Sequence, residues 1–352
     1  MMTRRATISD VARVADVSPS TASVVFSGKT PVSDATRLRV LEAAASLGYP
    51  GPDPRAASLR LGRSGIVAVV VGTSLSQMFV DPVQRLMMDG LAEAVAPLGA
   101  SLLLVRTHSD VENAPTLATA GIDAAVLIGS DGSLRGSLDQ VRARGVPIVV
   151  IEGDAGPDIP RVLLDNREAQ RTAAEHLRAL GHTRVAIVAL RASGTLTAGW
   201  LGDELDAEVA IDVTRDRLAG ARDIFPDAPA LATAGSSIDE GLAAGRVLFA
   251  DPAARPTAVI AQSDLLAAGV IRAAHEVGLR VPDDVSVTGF DGVHVDGFAP
   301  YDLTTLRQAA TDKGRAAGEA IAAMLDDRPP ASVLLTCEFH VGSTTAPPPP
   351  PR

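Results

Sequence analysis

The sequence predicts a mixed α/β protein, in which a small all-helical head precedes a larger body of two Rossmann-like lobes. Three observations support this prediction. Two short amphipathic segments lie close together near the N-terminus. From Gly65 onward, short apolar runs rich in β-branched residues alternate with helix-like stretches, a pattern typical of parallel sheets covered by helices. With 352 residues, the chain is also too long for one ordinary domain.

The stretch from Thr7 to Ser27 predicts two short helices separated by a tight turn. Apolar residues recur at helical spacing in both halves, and they are Ile8, Val11, Ala12, Ala15, then Ala22, Val25 and Phe26. Ser18 can cap the second helix, and Pro19 suits its first position. Such a pair forms a helix-turn-helix, whose second helix begins in the major groove of DNA. The candidate DNA contacts are then Ser18, Pro19, Ser20, Thr21 and Ser23. The alternative is a helical hairpin that only packs on a core.

A third helix should complete the head, which is predicted to span residues 1–49. Ser33 can cap its start and Gly48 can end it. Its apolar face would comprise Leu38, Leu41, Ala45 and Leu47. A linker rich in proline and glycine follows over residues 50–64, and it includes a short segment of helical propensity.

Charge is unevenly distributed along the chain. The net charge is −10, yet residues 1–64 contain nine basic and five acidic side chains, which leaves +4 on the head and −14 on the rest. A basic head can bind phosphate while an acidic body limits non-specific contact with DNA. We find no run of membrane-spanning length, no secretory leader and only one cysteine. A cytoplasmic protein without a membrane partner is therefore expected.

The body, residues 65–343, is predicted to form parallel sheets. Its apolar runs are residues 66–71, 101–105, 124–128, 147–151, 161–164, 185–189, 257–261 and 285–288. Helix-like stretches lie near residues 82–98, 133–144, 167–180, 216–225, 236–250, 263–277 and 309–326. These strands are too many for one small sheet, so we predict two lobes with a ligand-binding cleft at the carboxyl ends of the strands. The proline-rich tail, residues 344–352, is expected to be extended and disordered.

Several segments match a known family. In the head they are Thr7-Ile8-Ser9-Asp10-Val11-Ala12, Val17-Ser18-Pro19-Ser20-Thr21-Ala22-Ser23 and Leu47-Gly48-Tyr49. In the body they include Asp165-Asn166, Leu180-Gly181-His182, Ser263-Asp264 and Gly289-Phe290-Asp291. The chain resembles the LacI family of bacterial transcriptional regulators over nearly its whole length. The resemblance implies a helix-turn-helix head followed by a periplasmic-binding-protein-like effector body.

The resemblance implies a sequence-specific regulator, expected to be a repressor, that binds pseudo-palindromic operator DNA as a homodimer. The implied DNA contacts are Thr7, Ser18, Pro19, Ser20, Thr21, Ser23, Tyr49, Ala56 and Leu59. In this family the leucine belongs to a hinge helix and wedges into the minor groove. Three positions depart from the family pattern. Val24 replaces a usual arginine, Ser27 a usual asparagine, and Asp16 a turn glycine whose left-handed conformation aspartate tolerates.

The resemblance also implies that a small-molecule effector, a sugar or another metabolite, binds between the lobes. The implied contacts are Asp264, Arg217, Asp291, Asp165, Val83 and Gln84. Asp264 would accept hydrogen bonds from the ligand, or it could cap its helix. Asp291 and Asp165 could instead only brace loops. Matching Arg217 to the family's ligand-binding arginine makes residues 192–214 an insertion relative to shorter relatives. Aromatic residues form 3% of the chain, so few side chains could stack on a ring of the ligand.

Two other classes of protein could have such a body. A solute-binding protein would need a secretory leader and would lack the head. An enzyme would need a catalytic motif, and the sequence contains no G-x-G-x-x-G, P-loop, G-x-S-x-G or H-E-x-x-H. The six histidines also lack metal-ligand spacing. We therefore expect neither enzymatic activity nor a metal or other cofactor.

Overall fold

The structure is a computed structural model that describes residues 6–27, 30–51, 62–72, 75–106, 117–129, 132–193, 198–202, 209–295, 298 and 300–350. The chain divides into two compact units, Met1–Gly65 and Ile66–Arg352. The first contains the head and the second contains the body. Within the described residues, no helix has both the length and the apolar character needed to cross a membrane.

The head contains three helices, α1 (Ile8–Val14), α2 (Pro19–Ser27) and α3 (Asp34–Ser46). At the start of α1, the Thr7 side chain accepts from the Asp10 amide while the Asp10 carboxylate accepts from the Thr7 amide. Asp16, in the turn before α2, is left-handed with φ 53°. The buried residues of α1 and α2 and of the turn between them are Val11, Ala12, Ala15, Ala22 and Val25, which confirms the two predicted apolar stripes.

The predicted apolar face of α3 is wrong at Leu38, Leu41 and Ala45, whereas Leu47 packs against the core of the head as predicted. Leu38 and Leu41 are 59% and 44% exposed, whereas Val40, Ala43 and Ala44 are buried against α1 and α2. The stripe that faces the core follows the i, i+3, i+4, i+7 spacing of Val40, Ala43, Ala44 and Leu47.

The body contains thirteen strands and eight helices among its described residues. The strands are β1 (Ile66–Val71), β2 (Ser101–Arg106), β3 (Ala124–Ile128), β4 (Ile148–Ile151), β5 (Arg161–Leu164), β6 (Val185–Ala189), β7 (Gly199–Leu201), β8 (Ala230–Ala232), β9 (Ala258–Ala261), β10 (Ser286–Thr288), β11 (Thr305–Arg307), β12 (Val333–Leu335) and β13 (Glu338–His340). The helices are α4 (Leu75–Val80), α5 (Pro82–Val95), α6 (Gly132–Arg142), α7 (Asn166–Ala179), α8 (Asp212–Arg222), α9 (Ile238–Phe249), α10 (Asp264–Glu276) and α11 (Ala310–Leu325), with a 3-10 turn at Ala96–Leu98.

Two sheets form the cores of the two lobes, as predicted. In the first lobe the strand order is β12-β5-β4-β3-β1-β2, and all neighbours are parallel. In the second lobe the order is β10-β9-β6-β8-β7, where β7 pairs antiparallel with β8. The central strands are buried along their length because helices cover both faces of each sheet. A separate antiparallel pair joins β11 and β13.

Three segments connect the lobes, at residues 164–166, 307–310 and 335–338. The first and third are bonded to each other, because the Asp165 carboxylate accepts from the Cys337 amide at 3.0 Å and the Asp165 amide donates to the Leu335 carbonyl at 3.0 Å. These two hydrogen bonds hold the first and third connections side by side.

The start of the C-terminal tail packs on the second lobe, so the expected disorder is wrong there. Thr344 is fully buried, and its carbonyl accepts from the Val287 amide at 2.8 Å. Its hydroxyl donates to the Val287 carbonyl at 2.7 Å and accepts from the Thr304 amide at 2.9 Å. His182 bonds the Ala346 carbonyl at 2.9 Å. The prediction rested on the prolines and missed the hydrogen-bonding threonine that precedes them.

Candidate functional site

The first candidate site is the start of α2, where short hydroxyl side chains are linked to one another. The Ser18 hydroxyl accepts from the Thr21 amide at 3.0 Å, so Ser18 is the predicted N-cap. The same oxygen lies 2.7 Å from the Ser20 hydroxyl and 2.8 Å from the Thr21 hydroxyl. Pro19 and Ser20 are exposed and Ser23 is half-buried. The predicted contact residues therefore share one end of one helix.

Other predicted DNA contacts lie elsewhere in the head. Thr7 caps α1, and its hydroxyl is bonded to Asp10. Tyr49 packs edge-on against Phe26, with 5.5 Å between the ring centroids, and links the end of α3 to α2. Ala56 and Leu59, the hinge residues, lie outside the described residues.

The second candidate site is a cavity of about 580 Å³ between the two lobes of the body. Its walls are formed at the carboxyl ends of the strands. Val71 ends β1, Ile128 ends β3 and Ser263 follows β9. This is the position at which parallel α/β sheets bind ligands, and the volume suits a small molecule.

The structure brings four of the six predicted effector residues to this cavity. Arg217, Asp291, Val83 and Gln84 line it. Asp264 and Asp165 are not among its lining residues. The Asp165 carboxylate instead joins two connections between the lobes.

Arg217, on α8, is 3% exposed and is held on several sides. Its Nε donates to Asn166 Oδ1 at 2.8 Å, and its Nη1 donates to the Gln262 carbonyl at 2.6 Å. Nη1 also lies 3.5 Å from Asp291 Oδ1, and the guanidinium carbon lies 3.5 Å from the centroid of the Phe290 ring. Because a guanidinium has five N–H donors, this anchored group retains donors for a ligand.

Asp264 braces the loop that carries Asp291. Its Oδ1 accepts from the Thr305 hydroxyl at 2.6 Å, and its Oδ2 accepts from the Val293 amide at 2.8 Å. The helix cap is Ser263, whose hydroxyl accepts from the Leu266 amide, so the alternative capping role for Asp264 is wrong. Burial raises the pKa of Asp264 to about 7. Burial likewise raises the pKa of Asp291, against the lowering effect of Arg217.

Sequence reasoning missed a buried ion pair beside the cavity. Lys313 on α11 is 1% exposed, and its Nζ lies 2.6 Å from Oε2 of Glu152, which lines the cavity. Asn166 donates to Glu152 Oε1 at 2.8 Å, so a continuous chain of contacts runs from Lys313 through Glu152 and Asn166 to Arg217. The one available signal was compositional, since Lys29 and Lys313 are the only lysines in the chain.

The described cavity wall is rich in hydrogen-bond acceptors. The Oε1 atoms of Gln84 and Gln308 are buried and accept no hydrogen bond from the described residues. Asp81, whose carboxylate accepts from the Val83 amide at 2.9 Å, and Glu152 add acidic groups. None of the described lining residues is aromatic. Such a wall suits a ligand that donates several hydrogen bonds.

Three family profiles match the chain. Residues 7–51 match the bacterial regulatory proteins of the lacI family. Residues 68–207 match the periplasmic binding proteins and sugar binding domain of the LacI family. Residues 174–345 match a periplasmic binding protein-like domain.

Full-length relatives agree with these matches. The regulator IpsA of Corynebacterium glutamicum is 31% identical, over 97% of this chain and 98% of its own. The repressor CytR of Escherichia coli K12 is 30% identical, over 97% of each chain. The solved structure of the transcriptional regulator CelR in complex with cellobiose is 27% identical, with a TM-score of 0.67 over 97% of this chain and all of that one. This chain belongs to the LacI family and is a DNA-binding transcriptional regulator with a periplasmic-binding-protein-like effector domain.

Proposed function

We propose that this regulator is a cytoplasmic repressor that binds a pseudo-palindromic operator as a homodimer. The observation that carries the proposal is the start of α2, where an N-capped helix presents Pro19 and Ser20 to solvent in a helix-turn-helix head. The repressor assignment is supported by the 30% identity to CytR, a repressor. Two heads on one duplex require two-fold symmetry in the operator, with half-sites set by the helical repeat of DNA.

We infer further that the effector is a small, polyhydroxylated, non-aromatic molecule. The orphan oxygens of Gln84 and Gln308 need hydrogen-bond donors, and hydroxyl groups supply them. Arg217 and the acidic residues beside it can bond the same hydroxyls from other sides. The cellobiose complex of CelR supports this ligand class. Because binding at two sites is coupled reciprocally, operator DNA and effector change each other's affinity by one factor.

Selection of random duplexes on the full chain, followed by sequencing, tests the DNA-binding proposal. We expect enrichment of a two-fold-symmetric motif. Ser20→Glu, which places a carboxylate at the exposed start of α2, should lower affinity for that motif at least tenfold through repulsion by phosphate. The matched control is Ala45→Glu, an exposed position on α3, which should stay within about threefold. Absence of an enriched motif in low salt would refute the proposal.

Thermal unfolding of the full chain with a panel of monosaccharides, disaccharides, cyclic polyols and nucleosides tests the effector class. At least one polyol should raise the midpoint, and nucleosides should not. The shift should disappear in Arg217→Leu and persist in Arg215→Leu, which alters the same helix outside the cavity wall. Stabilisation by nucleosides alone would contradict the inferred ligand class.

A further inference from the structure

The exposed face of α2 bears no charged side chain. Pro19, Ser20, Ser23, Val24 and Ser27 share this face, because the opposite one buries Ala22 and Val25 in the head. Each of the five is exposed or half-buried. The sequence of the helix, PSTASVVFS, contains neither a basic nor an acidic residue. A guanidinium or carboxylate from this helix is therefore not available to read a base.

Two of the three hydroxyls on this face are already bonded within the head. Ser20 is bonded to Ser18 at 2.7 Å, and the Ser27 hydroxyl donates to the Val24 carbonyl at 3.2 Å. A serine hydroxyl can donate or accept, so it discriminates weakly between bases. The apolar groups that remain are the Pro19 ring and the Val24 isopropyl group. In the major groove, the base feature that matches an apolar group is the C5 methyl of thymine.

We infer that each operator half-site is read through thymine methyl groups that pack against Pro19 and Val24. This inference rests on the proposed operator binding and adds the base class that α2 recognises. Guanine, whose N7 and O6 are commonly read by arginine, is not selected by this helix.

Replacement of thymine by deoxyuridine tests the inference, because it removes the methyl group and keeps the hydrogen-bonding pattern. The probe is a duplex enriched from the random pool, with one symmetric pair of thymines replaced at a time. Burial of one methyl corresponds to about a fourfold change in affinity, so we expect about 16-fold weaker binding when the paired positions in both half-sites are changed. Replacement of guanines by 7-deazaguanine should change affinity less than twofold in the segment that α2 covers.

A substitution at Val24 tests whether α2 makes the contact with the thymine methyl group. In Val24→Ala, the ratio of affinities for the thymine and deoxyuridine duplexes should fall towards one at one symmetric pair. Val14→Ala, at a 48% exposed position on α1, should leave that ratio unchanged. The inference is overturned if no thymine is sensitive to methyl loss, or if the ratio survives in Val24→Ala. Either result would leave the operator proposal intact, whereas a pool without an enriched motif would refute both.

Discussion

At the scale of single residues, Lys313 and Glu152 form an ion pair beside the cavity, and the lysine is almost completely buried. Burial alone would raise the pKa of Glu152, yet Lys313 and Arg217 hold it below its ordinary value. Lys313→Met would leave that carboxylate buried without its closest cation. We expect a loss of about 3–5 kcal/mol in the free energy of unfolding, measured by urea denaturation.

A second variant separates this pairing effect from loss of packing. In the double variant Lys313→Met with Glu152→Gln, neither charge remains, and the Asn166 amide can still donate to the side-chain oxygen at 152. The double variant should be more stable than Lys313→Met alone. If it is less stable, the unpaired Glu152 carboxylate is not what destabilises Lys313→Met, and the pairing account is contradicted.

Asp264 should make the body less stable as pH rises through mild acidity. Its pKa is raised from 3.8 to about 7 by burial, so between these values the folded protein keeps a proton that the unfolded chain has lost. Its contribution to unfolding free energy therefore falls as pH rises from about 4 to 7 and is constant above. Urea unfolding at pH 5, 6, 7 and 8 should show a shallower decline for Asp264→Asn than for the parent. The variant also removes a charge that helps to raise the pKa of Asp291, which acts in the same direction. Equal slopes would contradict this assignment.

Residues of the site differed in how far the sequence could predict them. Arg217 and Asp291 were reached through the family resemblance, and both line the cavity. Glu152 and Lys313 were not, because their partnership joins positions 161 residues apart and only the folded body brings them together. Asp264 was predicted to contact the effector, but it does not line the cavity, and its bonds to Thr305 and Val293 join positions that the sequence pattern does not bring together.

At the scale of elements, helices α5 and α11 cross at two glycines. A Cβ at Gly90 would lie 2.0 Å from the Thr311 carbonyl oxygen, and one at Gly314 would lie 1.8 Å from the Met87 carbonyl oxygen. Gly90→Ala must push the two helices apart, so we expect the free energy of unfolding to fall by about 1–3 kcal/mol. Gly136→Ala on α6, where nothing lies within 4 Å, should instead stabilise by about 0.5–1 kcal/mol. A thermal midpoint that rises in Gly90→Ala would contradict the close crossing.

The tail forms a second element-level test. Deletion of residues 344–352 removes the three hydrogen bonds of Thr344 and leaves buried groups of Val287 and Thr304 without partners. The loss should be roughly 2–4 kcal/mol in urea unfolding. Deletion of residues 349–352 alone should cost less than about 0.5 kcal/mol, since the bonded residues remain. Equal effects of the two deletions would place the stabilising contacts in the prolines.

Elements with four or more residues in one apolar run were predictable from sequence. Strands β1, β6 and β9 correspond to predicted runs because burial on both faces makes them continuously apolar. Strands β7 and β8 have three residues each, too few to show a period, so they were not predicted. Local pattern therefore predicts strands by the length of their apolar run: it reached the edge strands β2 and β10 but missed β8, which lies inside the second sheet.

At the scale of the whole molecule, the DNA-binding head and the effector-binding body carry net charges of opposite sign. Residues 1–64 carry +4 and the remainder carries −14. The positive part favours approach to phosphate, while the negative part disfavours binding of the body to DNA. We therefore expect specificity to come from the contacts of the head, and affinity for arbitrary DNA to be weak at physiological salt.

The ratio of affinities for the selected duplex and a scrambled duplex of equal composition is the most direct test of a sequence-specific regulator. Both would be titrated with the full chain at one fixed salt concentration near physiological strength. We predict a ratio of about 10³ or more, with two chains bound per selected duplex. A ratio within about threefold of one would mean that the protein binds DNA only through phosphate, and it would contradict the central claim.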